Sequence, residues 1–268
     1  METRQQSIYD HPKYYDLVFG SDCAAELRFI RQCAAMYCLG TAKRMFEPAC
    51  GTGRLLFHLA RKGFTVGGVD LNTQAVQFCN QRLTRHGIAD RVFVGDMSAF
   101  ELAPQADVAF NTINSFRHLT SERAARAHLN CMAAAVRPGG IYLLGIHLTP
   151  TTAPPSDTES WAARRGALAI TTRMWTNARD AKTRLERFGI EFIVETPKRQ
   201  LRIADELVLR SYTDLQMQRL LGHCGHWQIV GTYDFAYDIT HPIEVDSSTE
   251  DVVYVLRRQA KPIRSPPV

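Results

Sequence analysis

Residues 44–72 read RMFEPACGTGRLLFHLARKGFTVGGVDLN, and the rest of the chain is organised around them. Arg44 to Ala49 has the character of a short buried strand. Cys50-Gly51-Thr52-Gly53 is a tight turn, Arg54 to Lys62 a helical stretch, and Phe64 to Val69 a second strand that ends at Asp70. Strand, glycine turn, helix, strand and terminal acid make the first half of a nucleotide-binding βαβ unit. The glycines let backbone come close to a ligand, and the helix start presents unpaired N–H groups. Asp70, about 20 residues past the turn, is spaced to accept both hydrogens of a ribose diol. Such turns also occur in α/β proteins that bind nothing there. Gly51-Thr52-Gly53-Arg54-Leu55-Leu56 lacks the third glycine of G-x-G-x-x-G, which weighs against a dinucleotide.

Length and composition narrow the field. The 268 residues suffice for one large domain or a domain with an insertion, and the apolar fraction of 45% is that of a soluble globular chain. No run of about 18 apolar residues predicts a transmembrane helix, and the polar, aromatic N-terminus lacks the core of a secretory signal. Seven irregularly spaced cysteines read as free thiols in a reducing, cytoplasmic compartment. The formal charge of +5 is modest and its basic residues are scattered, so neither nucleic acid nor a membrane surface is an expected partner.

Glu47-Pro48-Ala49-Cys50-Gly51-Thr52-Gly53, with Asp70 following, resembles the first motif of class I S-adenosylmethionine-dependent methyltransferases. Arg137-Pro138-Gly139-Gly140 before a strand is a second mark of that family. The resemblance implies an α/β fold: a Rossmann-like, seven-stranded sheet with helices on both faces and a reversed last strand. It implies S-adenosylmethionine as cofactor, S-adenosylhomocysteine as product, and no metal. Glu47 would support the methionine end, Ala49, Gly51 and Gly53 would pass beneath the ligand, and Asp70 with Leu71 would hold the ribose. After the third strand, Asp96 would pair with the adenine amine and Met97 would wall the ring; a turn cap is the other reading of Asp96. Asn111, after the fourth strand, would contact the methionine portion.

Outside the motifs, apolar spacing predicts helices over Ala24 to Leu39, closed by Gly40, over Thr73 to His86 and over Ser121 to Val136. Strands are expected at Arg91 to Val94, Ala106 to Phe110 and Ile141 to Ile146, with Arg137 to Gly140 as a turn. Thr149 to Glu159 reads as an exposed loop. Alternation then predicts strands in Ala167 to Trp175, Lys182 to Val194 and Leu201 to Arg210, an antiparallel insertion roofing the substrate pocket. That arrangement resembles small-molecule methyltransferases, including sugar amine N-methyltransferases. A helix over Leu215 to Leu221 and strands at Trp227 to Val230 and Asp251 to Arg257 complete the core. The divisions are thus 1–40, a segment and helix covering cofactor and substrate; 41–150, the cofactor-binding core; 151–210, the loop and lid; 211–258, the rest of the core; and 259–268, a flexible tail.

The acceptor end is less determined. The aromatic N-terminal segment offers Tyr9, Tyr14 and Tyr15, either as anchors or as a wall of the site. Tyr14 stands first as a catalytic hydroxyl, Tyr15 as a cofactor contact and Tyr9 as a substrate contact. Asn114, Arg117 and His118 follow the fourth strand, and His147 ends the fifth at the ligand edge. A histidine titrates near neutrality, so His118 and His147 are candidate proton acceptors. Asn114, Arg117, Arg173 and Trp175 are candidate substrate contacts, and an inward arginine would favour an acidic or phosphorylated acceptor. His223, Cys224 and His226 are spaced too tightly for a usual zinc site. The expectation is an enzyme, monomer or homodimer, that moves a methyl group to nitrogen or oxygen of a small molecule by in-line displacement. An RNA methyltransferase and an idle S-adenosylmethionine binder are the alternatives.

Overall fold

Local sequence signals set the element boundaries in the computed structural model, which describes residues 2–89, 91–152 and 158–260. The chain begins with β1 (Glu2–Gln5), a 3-10 turn (Ile8–Asp10), α1 (Pro12–Gly20), α2 (Ala24–Tyr37) and β2 (Arg44–Pro48). Then come α3 (Arg54–Ala60), β3 (Thr65–Asp70), α4 (Thr73–Arg85), β4 (Val92–Val94), β5 (Ala106–Asn111) and a second 3-10 turn (Ser115–His118). The chain continues through α5 (Glu122–Ala135), β6 (Val136–His147), β7 (Thr158–Arg165), β8 (Leu168–Asp180), β9 (Leu185–Thr196) and β10 (Arg199–Arg210). It closes with α6 (Asp214–Cys224), β11 (Trp227–Tyr233) and β12 (Asp251–Arg258).

Side-chain caps start three of these helices. Asn72 accepts from the Ala75 N–H at 2.9 Å and Ser121 from the Ala124 N–H at 3.1 Å. Thr213 and Gln216 form a reciprocal capping box at the start of α6.

The core sheet has seven strands in the order β11-β12-β6-β5-β2-β3-β4. All run parallel except β12, which is antiparallel to both its neighbours, the reversed last strand the family resemblance implied. Strand order reverses between β2 and β5, so a crevice opens outside their carboxyl ends. On one face Phe29, Ile30, Leu55 and Leu56 pack over Val108 and Leu143; on the other Leu129, Met132 and Trp227 cover Tyr142. Leu55, Leu56 and Leu59 are fully buried, so truncation of any one to alanine costs on the order of 2–5 kcal/mol.

A second sheet of five strands, β1-β10-β9-β8-β7, lies over the open end. Its inner face packs Ile170, Ile190 and Phe192 on Ile8, Leu17 and Val18 of the N-terminal segment. Two of these strands, β1 and β7, fall where no strand was expected. The first has the polar sequence ETRQ and pairs in parallel with β10; the second begins in the expected loop, and its residues alternate weakly.

Two expected boundaries move. α2 ends at Tyr37, because Cys38 is extended and the Leu39 N–H is taken by the Gly139 carbonyl at 2.8 Å; Gly40 is not its cap. Arg137 to Gly140 is a bulge within β6 rather than a turn before it: Ala106 pairs with Val136 and Val108 with Ile141. Gly139 has φ +77°, and a Cβ on Gly140 would stand 2.6 Å from the Asp107 carbonyl. From residue 261 on, the expected flexible tail lies outside the described residues.

Candidate active site

A cavity of about 760 Å³ lies between the carboxyl ends of the core strands and the inner face of the second sheet. Ala49, Gly51, Asp70, Leu71 and Met97 line its core side. The turn bends sharply here, with Ala49 at φ +52° and Gly51 at φ +51°. A left-handed alanine costs about 1–2 kcal/mol, which the surrounding turn must hold in place. Asp70 fixes the turn from the next strand: its carboxylate accepts from the Gly51 N–H at 2.7 Å and the Asn72 N–H at 2.8 Å. Burial raises its pKa and those two donors oppose the rise. Leu71 leaves 70% of its surface open to solvent.

A smaller cavity adjoins this one, sharing Tyr15, Ala49 and Gly51 and reaching Glu47, Arg54 and Asn111. Glu47 and Asn111 are buried, and Glu47 Oε2 and Asn111 Oδ1 have no hydrogen-bond partner. Each such orphan costs about 1–3 kcal/mol. Burial drives the Glu47 carboxyl far above the usual range, with Arg54 opposing. Asn111 Nδ2 donates to the Pro48 carbonyl at 2.9 Å, which fixes the orphan Oδ1 as its free end. Arg54 makes a bidentate pair with buried Glu26, at 2.5 and 2.8 Å. Two orphan acceptors lining one small cavity suit an ammonium group, while both terminal nitrogens of Arg54 are already on Glu26.

The acceptor side carries two hydrogen-bonded pairs. Tyr9 Oη and His118 Nε2 are 3.0 Å apart, and both residues line the cavity. Burial raises the Tyr9 phenol well above its ordinary pKa, so its hydroxyl stays protonated and can either donate to His118 or accept from it. Burial, with Arg117 adding to it, lowers the His118 pKa, so its imidazole is neutral at pH 7. His147 Nδ1 lies 2.7 Å from Asp251 Oδ1, and the two residues are cross-strand partners on β6 and β12. Asn114 Oδ1 accepts from the His147 N–H at 3.0 Å and so positions that strand end.

Several expected site residues stand elsewhere. Tyr14 does not line the cavity; its ring stacks on His11 at 5.9 Å, while Tyr9 and Tyr15 face inward. Asp96 is exposed and outside the cavity, its Oδ1 accepting from the Ser98 N–H at 2.7 Å, which is the turn cap. Gly53 lies behind the turn: a Cβ there would stand 2.1 Å from Cys79 Sγ, so its role is packing against α4. Arg173 and Trp175 point off the outer face of β8. Arg173 is 3.7 Å from Glu191, and the Trp175 ring fills the space over Gly189. Met174 between them faces inward. Arg117 lines the cavity but is buried and engaged, donating to the Arg210 carbonyl at 2.9 Å and pairing with Glu186.

Residues that sequence reading passed over complete the wall. Asp251 was legible only as the first residue of a strand; its place beside His147 follows from the reversal of β12. Trp161, Phe188 and Leu207 come from the second sheet, whose inward face the alternation alone does not identify. Arg54 carried no signal beyond opening a helix.

Among the described residues, no helix is long and apolar enough to cross a membrane, and no group of three or more His, Cys, Asp or Glu is placed to hold a metal ion. All seven cysteines are free.

Comparison with known proteins shows what this arrangement is similar to. A methyltransferase-domain model matches residues 46–140. A Streptomyces fradiae protein named dTDP-3-amino-3,6-dideoxy-alpha-D-glucopyranose N,N-dimethyltransferase is 25% identical over 162 residues, 59% of each chain. The chain spans about half the length of the curated relatives it matches. An S-adenosylmethionine-dependent methyltransferase from Clostridium acetobutylicum superposes with a TM-score of 0.75 at 17% identity, over 93% of this chain and 98% of that one. A sugar N-methyltransferase from Streptoalloteichus gives 0.71 at 18% identity, over 96% and 95%. The chain thus has the fold of class I S-adenosylmethionine-dependent methyltransferases, and its residues 46–140 match a methyltransferase-domain model.

Proposed function

We propose that this chain transfers a methyl group from S-adenosylmethionine to a nitrogen or oxygen of a small molecule. One observation carries the reading: a cavity joins the Gly51–Asp70 turn to two histidines held by Tyr9 and Asp251, and a smaller one adjoining it at that turn reaches the orphan acceptors of Glu47 and Asn111. In this reading Asp70 takes the ribose hydroxyls, Leu71 and Met97 wall the adenine, and Glu47 and Asn111 receive the ammonium of the amino-acid end. Bound there, S-adenosylmethionine supplies an electrophilic methyl on a neutral leaving group.

The protein's part is to hold the acceptor in line, keep water out and take up one proton. Positioning supplies much of the acceleration. His118 is neutral and so able to accept a proton: in the tautomer whose Nε2–H donates to the Tyr9 hydroxyl, Nδ1 is the free acceptor. His147, its Nδ1 turned to Asp251, presents Nε2 as a second acceptor. The sheet of β7 to β10 closes the acceptor end with apolar side chains.

Calorimetry with S-adenosylmethionine and S-adenosylhomocysteine tests the cofactor half. Release of S-adenosylhomocysteine over a panel of amines, phenols and sugars tests the acceptor half. Binding of neither compound would sink the proposal, and binding without turnover on any of the panel would leave the idle-binder alternative.

A further inference from the structure

We infer that the acceptor is an organic amine with an apolar, ring-bearing body, and that anionic acceptors are rejected. This rests on the donor site proposed above and concerns the other half of the same cavity. Among the described residues, the charged side chains lining it are two guanidiniums, Arg117 and Arg179, and four carboxylates, Asp70, Glu159, Glu186 and Asp251. Both guanidiniums hold the same carboxylate: Arg117 pairs with one oxygen of Glu186, and Arg179 Nε lies 3.3 Å from the other. Arg117 is also almost wholly buried, with its Nε on the Arg210 carbonyl. The inward arginine that would have selected a phosphate is therefore already engaged. Glu159 and Asp251 face the cavity with no arginine or lysine beside them among the described residues. An anion brought into this space meets carboxylates; a cation is attracted by them.

The uncharged lining points to the same class. Tyr9, Tyr15, Phe19 and Trp161 make a continuous aromatic wall, with successive ring centroids 5.4, 4.5 and 5.9 Å apart. Glu159 stands two residues before Trp161 on the same face of β7, opposite Met174. Aromatic faces beside a carboxylate recognise organic ammonium groups. Phe188, Ile190, Leu207 and Leu209 present hydrocarbon to the rest of the ligand. A nucleoside-diphosphate acceptor, of the kind the Streptomyces fradiae enzyme is named for, finds no uncommitted cation here among the described residues.

The test is equilibrium binding to the full chain saturated with S-adenosylhomocysteine, using phenethylamine, phenethyl alcohol, hydrocinnamic acid and thymidine diphosphate as probes. The amine is expected to bind about tenfold or more tighter than the acid, the alcohol between them, and the diphosphate not measurably. Glu159→Gln, at an exposed position, is expected to narrow the amine-to-acid ratio by about threefold while the alcohol is unaffected. Equal or tighter binding of the acid or the diphosphate overturns the inference, as does an unchanged ratio in Glu159→Gln or binding by none of the three phenyl probes. Each of those results, obtained with S-adenosylhomocysteine bound, leaves the donor site standing; failure of S-adenosylhomocysteine to bind brings down both.

Discussion

Glu47 and Asn111 each spend a buried oxygen on nothing inside the protein, and at Glu47 the cost takes the form of a proton. Its folded carboxyl titrates well above the unfolded value, because burial penalises the charged form. Such a group favours the folded state below the unfolded pKa and loses that contribution as pH rises through the folded pKa. An ammonium arriving beside it reverses the preference and expels the proton. Calorimetry of S-adenosylhomocysteine binding in buffers of different ionisation enthalpy should therefore show net proton release near neutrality. Glu47→Gln should abolish the release, weaken binding and make the free protein more stable at alkaline pH. At the acceptor end, burial holds His118 below the ordinary histidine value of about 6.5. A rate that needs its neutral form should be flat around pH 7 and fall only below that value. His118→Asn should lower kcat by about 100-fold with the affinity for S-adenosylhomocysteine unchanged, as measured by single-turnover kinetics and calorimetry.

Among the elements, β6 leaves little room for substitution. A Cβ on Gly145 would lie 2.0 Å from the Thr112 carbonyl, and Thr112 also donates to buried Glu26. Gly145→Ala should destabilise the fold by about 3 kcal/mol or more in denaturant titration, since neither backbone has room to retreat. Thr213→Ala, which removes only the cap of α6, should cost about 1 kcal/mol. The same scale shows what the sequence discloses. The glycine turn, its flanking strands, Asp70 and the α4 and α5 helices were legible, because local chemistry sets them: positive φ at a turn, an N-cap, a period of 3.6. β1 and β7 were not, because ETRQ and TESWAARR carry little apolar alternation and are strands only through their partners. Arg173 and Trp175 show a second kind of silence. Alternation along β8 tells that they share a face, but which face looks inward is decided by the sheet beneath. Asp96 shows a third kind: the carboxylate that would suit an adenine amine also suits the Ser98 N–H two residues away, so its type and place do not decide between the two.

At the scale of the molecule, the two sheets are tied across the cavity by the N-terminal segment. Asp16 of α1 is the central tie. It is buried and accepts from the Thr52 hydroxyl at 3.1 Å, pairs with Arg82 of α4, and lies 3.9 Å from Arg165 of β7. Farther along, the Asn72 side chain donates to Asp10 at 2.8 Å and the Ile8 N–H to Asp205 at 3.1 Å. Asp16→Ala leaves Arg82 without its buried partner, so a loss of about 3 kcal/mol in stability is expected. Hydrogen exchange should then accelerate in α1 and β7 before it does in β2 or β5, because the ties it removes join the covering parts to the core.

The parallel pairing of β1 with β10 also bears on the order in which the molecule is made. The Ile8 N–H and the Asp205 carboxylate that receives it are 197 positions apart in the chain. During synthesis the core strands from β2 to β6 emerge and can associate, and α1 can meet α3 and α4, while β1 still has no strand to pair with. Only after β10 has been made does that segment gain its strand, and only after β12 does His147 gain Asp251. Non-local pairings of this kind pay loop-closure entropy before they return any contact energy, so they form late. A chain halted before β10 would hold the glycine turn and Asp70 while its acceptor wall stayed open. The capacity to bind a nucleoside would thus precede, in the life of each molecule, the capacity to enclose an acceptor.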